Sequence, residues 1–246
     1  MQAKTNATSP VPPQVVVSML LVGLSLGGLL VLAIPALAFL PGNSLWTALV
    51  SSVEVDSKLP WYLVRSSGTV AYLLLTASTV WGLVLSAKVA REVSLAPYSL
   101  AMHNALSWTA IGLAGLHAWL LLLDSYYVYL PADLLVPFVG PYRPGWVGLG
   151  TLSLYLLIVI SASFAWKKVI THKGWRALHY VSYLVFVFVT LHGFKAGTDS
   201  PEVSMQVMYV GSSLLVLYLT TTRVLAAIRQ KRARAASGPT AAQDAG

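Results

Sequence analysis

The sequence predicts an all-α integral membrane bundle of six helices with both termini in the cytoplasm. Three observations predict it. Hydrophobic residues make up 57% of the 246 positions and charged residues 10%, where a soluble domain carries roughly 25% charge. Such a chain has too little polar surface to cover itself in water, and a bilayer removes the difficulty. Six apolar runs are each long enough to cross about 30 Å of hydrocarbon, which takes roughly 20 helical residues. Lys and Arg gather at the ends of those runs, and mostly on one side, as cytoplasmic loops require.

The first run is Val15 to Leu40. Lys4 precedes it and Ala36-Leu37-Ala38 resembles a cleavage site, but a signal-peptide core is roughly 7–15 residues, so the run reads as a retained helix. The second runs from about Ser67 to Ala87, the third from Tyr98 to Leu123, the fourth from Val147 to Trp166, the fifth from Arg176 to Phe194 and the sixth from Val203 to Arg223. None alternates with period two, and each is too long for a barrel strand. The organisation that follows is a cytoplasmic tail (1–14), a first helix with its outer loop (15–62), a five-span unit (63–223) and a basic, disordered cytoplasmic tail (224–246).

Twelve of the sixteen basic residues fall on one side: Lys4, Lys88, Arg91, Lys167, Lys168, Lys173, Arg176, Arg223, Arg229, Lys231, Arg232 and Arg234. Lys58, Arg65, Arg143 and Lys195 fall on the other, together with Glu54, Asp56, Asp124, Asp133, Asp199 and Glu202. This separation sets the orientation, and the net charge of +8 therefore reflects topology and not nucleic-acid binding. Among the outer loops, Pro131 to Phe138 is apolar enough to lie on the membrane surface, and Pro141-Tyr142-Arg143-Pro144-Gly145 reads as a turn. The absence of cysteine excludes disulfides, thiolate-bound metals and cysteine nucleophiles.

Four of the five histidines lie within spans, where ionisable residues are rare and read as functional. His103 and His117 share the third span, about 21 Å apart along the axis and about 40° apart around it. His179 and His192 share the fifth, about 19 Å apart. Both spans run in the same direction, so His103 pairs in depth with His179 and His117 with His192. Each pair is placed to clamp one flat macrocycle, its iron held from both sides by imidazole. The expectation is two b-type haems, inner and outer, with all four histidines as metal ligands. Around an ideal helix, however, His179 and His192 stand roughly 140° apart, which calls for a bend, a π-bulge or laterally offset sites. His172 lies in the basic loop and reads as solvated. Ser107, Thr109, Ser182 and Thr190 are placed to tune the sites, or simply to bond their own helix backbone.

Two histidines fourteen apart on one span and thirteen apart on the next but one, with Trp175-Arg176-Ala177-Leu178-His179, Tyr183 and Arg65-Ser66-Ser67-Gly68, resemble the ferric reductase-like transmembrane domain. That superfamily includes NADPH oxidases, ferric reductases and the haem-binding subunit of a bacterial methionine sulfoxide reductase. The resemblance covers roughly Leu63 to Arg223. It implies that His103, His117, His179 and His192 bind haem, and that Arg65 approaches a propionate of the outer haem or else snorkels to the interface. It gives Arg176 the equivalent place near the inner haem, although a positive-inside anchor is the simpler role. A flavin is possible by analogy, but no residues specify one.

The function these readings imply is transmembrane electron transfer in a bacterial inner membrane. A separate reductase or a quinol would donate electrons, and an outer-face acceptor or partner reductase would receive them. With only a short tail after Arg223, the chain is not expected to oxidise NAD(P)H itself. Two alternatives stay open: a quinone-linked cytochrome b subunit anchoring a peripheral oxidoreductase, and a haem-free scaffold of the same fold.

Overall fold

A computed structural model describes residues 58–86, 96–124, 126–166 and 169–236. The first predicted span, Val15 to Leu40, lies outside the described residues, as do the loop preceding residue 58 and the segment after residue 236. The described chain is all-α. Its helices are α1 (Leu59–Ser86), α2 (Ala96–Leu120, continued by a 3₁₀ turn over Leu121–Leu123), the short α3 (Pro131–Leu135), α4 (Pro144–Ser163), α5 (Thr171–Ala196) and α6 (Val203–Ala236). Five of them, all but α3, are long and apolar enough to cross a membrane. These match the second to sixth predicted spans.

The helix ends differ from expectation for local reasons. Helix α1 begins at Leu59, eight residues before the expected Ser67, because Pro60 suits a first helical turn that has no use for its missing N–H. Helix α4 opens on Pro144, preceded by Arg143 in the left-handed region at φ 41° and ψ 56°. Helix α6 continues past Arg223 to Ala236, so 224–236 is helical where a disordered tail was expected. That extension is rich in Ala and Arg, both strong helix formers.

Helix α1 packs along α2 and also touches α5 and α6. Helix α4 packs along α5 and touches α2. Helices α2 and α5, which carry the histidines, do not pack closely against each other. Between them, halfway along the bundle, sits a cluster of Leu75, Ala110, Ile111, Leu157, Ile160 and Val185. Val185 is completely buried. This apolar plug separates the upper and lower halves of the interior.

One end of the bundle carries Asp124, Asp133, Asp199 and Glu202. The other carries Lys173, Arg176, Arg223, Arg229, Lys231 and Arg232. These are the acidic and the basic end. At the acidic end the predicted turn closes the last turn of α5, whose carbonyls have no partner within the helix. Arg143 donates to the Lys195 carbonyl, Tyr142 donates to the Ala196 carbonyl at 3.1 Å, and the Ser200 hydroxyl donates to the Gly193 carbonyl at 2.9 Å.

Candidate functional site

The four membrane histidines meet in the two predicted couples. The rings of His103 and His179 lie 6.1 Å apart between centroids at 69°, and those of His117 and His192 lie 6.2 Å apart at 80°. Helix α5 is continuous α-helix with no π turn, so His179 and His192 leave it on different sides and the two couples are laterally offset.

Each ring but one is held by a backbone carbonyl. His117 Nδ1 lies 2.8 Å from the Val64 carbonyl, His192 Nδ1 2.9 Å from the Trp146 carbonyl and His103 Nδ1 3.0 Å from the Ser78 carbonyl. A carbonyl accepts only, so Nδ1 carries the proton and, in the neutral ring, Nε2 presents a lone pair. His179 instead stacks on Trp175, one turn earlier, with centroids 5.2 Å apart at 23°.

Glycines make room for these rings. A Cβ on Gly68 would lie 2.7 Å from His117 Nδ1, one on Gly150 2.8 Å from His192 Nδ1, and one on Gly82 3.2 Å from His103 Cε1. Gly68 and Gly82 are spaced on α1 as His103 and His117 are on α2. On antiparallel helices that matched spacing puts each glycine beside one histidine. The sequence therefore carries a signal for the packing of α1 against α2 that the histidine spacing alone does not give.

A cavity of about 440 Å³ opens at the acidic end. His117 and His192 line its wall, and Leu75, Ala110 and Leu157 of the plug form its floor. Arg65 and Asp199 stand in the same cavity and form an ion pair. The Arg65 guanidinium also lies 3.8 Å over the Trp61 ring. Asp199 was not singled out from the sequence, because nothing local links it to Arg65. Tyr127, Tyr129 and Tyr142 close one side. Burial, aided by the Asp124 carboxylate, pushes the Tyr129 phenol up to about 12, so it stays neutral and able to donate. Arg176 does not line this cavity; it is exposed at the start of α5 and donates to the Tyr180 hydroxyl at 3.3 Å. Ser107 and Thr190 bond their own helix carbonyls, at 2.9 and 2.8 Å.

The donor set corrects the cofactor expectation. Among the described residues no three His, Cys, Asp or Glu side chains come together in a group that could hold a metal ion. Among the described residues each level offers two imidazoles, and no carboxylate or third histidine joins either couple. That finding overturns the expected pair of b-type haems, the iron-binding and cytochrome b descriptions, and the haem-to-haem electron conduit built on them. Comparison with protein-family models, curated proteins and solved structures gives no match.

Proposed function

We propose that the chain is the membrane-embedded, quinone-linked subunit of a peripheral oxidoreductase, and that its cavity holds a quinol headgroup. The observation that carries this reading is the His117–His192 couple in the cavity wall. Both rings are fixed through Nδ1, leaving two Nε2 lone pairs on the side away from the helices that hold them. Two such acceptors on rings 6.2 Å apart match a molecule with hydroxyl protons to give. The apolar floor suits a ring and the start of a prenyl tail, and small-molecule pockets combine such walls with a few placed polar groups. Oxidation would send the two hydroxyl protons to the imidazoles and two electrons to a redox centre of the partner reductase. Arg65, beside the same cavity, would orient the headgroup.

The basic and acidic ends support an orientation with both termini in the cytoplasm of a bacterial inner membrane, and the cavity on the outer side. Kinship with the ferric reductase-like transmembrane proteins belongs to this proposal as a likeness of helix arrangement only.

The test is binding of a short-chain quinol to the purified chain in detergent, followed by quenching of tryptophan fluorescence. His117→Ala and His192→Ala should each weaken binding more than tenfold, while His103→Ala leaves it unchanged. Equal binding by all four proteins would overturn the reading, and no binding by any would favour a scaffold. An intense porphyrin absorption band in the purified protein would also overturn it.

A further inference from the structure

We propose that residues 126–139 form a wedge seated in the lipid leaflet, making the wall between the cavity and the hydrocarbon. This rests on the bundle spanning a bilayer, and is independent of what the cavity holds. The outward face of the segment is apolar and open: Val128 is 80% exposed, Leu130 61% and Val139 53%, with Leu135, Val136 and Phe138 about half exposed. No Lys or Arg occurs between Asp124 and Arg143. In water such a face would be a liability.

Three further observations point to lipid as the occupant. First, the segment sits on the flank of α4 and not beyond its end. Phe138, at φ 71°, packs against Gly148, where a Cβ would come within 2.6 Å of the Phe138 backbone nitrogen; Gly148 is about 6 Å along the helix from Pro144. The Leu135 carbonyl accepts from the hydroxyl of Tyr155, whose side chain tilts back toward the helix start. Second, five amides of the segment are bonded within the protein, which lowers the cost of leaving water. Asp124 accepts from the amides of Tyr126 and Tyr127 at 2.7 and 2.9 Å. Asp133 accepts from the Leu130 amide at 2.8 Å. The amides of Asp133 and Val136 reach the carbonyls of Leu130 and Ala132 at 2.9 and 2.8 Å. Pro131 and Pro137 have no N–H to satisfy. Third, the other face of the same segment closes the cavity, through Tyr127, Tyr129, Asp133 and Leu134.

The chain has no cysteine, so single spin labels report depth cleanly. Labels at Val136→Cys and Val139→Cys, on the full chain in liposomes, would be compared with Val210→Cys on an exposed apolar site of α6 and Glu202→Cys at its start. Collision with oxygen, which concentrates in lipid, should exceed collision with a water-soluble nickel chelate several-fold at 136 and 139, as at 210. Chelate collision at 136 and 139 equal to that at 202 would overturn the proposal and leave the face for a protein partner.

Discussion

The histidine rings are placed by what surrounds them as much as by their own spacing. A ring fixed through Nδ1 to a carbonyl and backed by a glycine has little room to turn. A methyl group at Gly68 or Gly150 would stand 2.7–2.8 Å from ring atoms, closer than any relaxed contact, and the ring would have to move. Overpacking of this kind costs about 1–3 kcal/mol. Gly68→Ala and Gly150→Ala should therefore lower the thermal unfolding temperature in detergent, and Gly82→Ala, whose added carbon would stand 3.2 Å from the His103 ring, should lower it less. Gly115→Ala meets nothing within 4 Å, and should raise stability by about 0.5–1 kcal/mol through helix propensity. If all four variants melted alike, the glycine seats would have no role. Arg65 is placed in the same contextual way: its charge is met by Asp199 and its face by Trp61, so it ties the start of α1 to the α5–α6 connection.

Among the elements, α5 has the most varied surroundings. Its first turns carry Trp175 and His179, its middle sinks Val185 into the plug, and its last carbonyls are capped by the turn before α4. Lipid tails are as apolar as a valine, so burying Val185 gains little by transfer. What it gains is close packing. Val185→Ala should still cost about 1–2 kcal/mol, because a completely buried side chain leaves a void that its neighbours fill only in part. Unfolding in detergent would measure this, and a loss indistinguishable from that of the exposed Val187→Ala would contradict the plug. The same plug gives the cavity a floor halfway along the bundle. Helices α2 and α5 stand apart above it and enclose space, where a closer crossing would have filled it.

The molecule as a whole is polarised along its axis. One end carries both signs of charge, the capped loops and the cavity mouth. The other is basic, with α6 extending to Ala236 and exposed over residues 221–233. Basic residues near spans favour the cytoplasmic side. On that argument Lys58→Cys should react with an impermeant maleimide added to intact cells, and Arg232→Cys should react only after the cells are opened. The reverse pattern would invert the proposed orientation and place the cavity mouth in the cytoplasm.

Apolar run length and the sidedness of charge are properties of consecutive residues. They made the membrane class and the five described spans legible, and helical periodicity with alternating direction matched His103 to His179 and His117 to His192. The number of donors meeting at a point is not a consecutive property. Spacing put two imidazoles at each level, but only the packing of five helices could show whether a third ligand joins them, and among the described residues none does. The Arg65–Asp199 pair, the glycine seats, the floor at Val185 and the wedge against α4 likewise depend on contacts between distant parts of the chain. Those contacts exist only once the helices have chosen their neighbours.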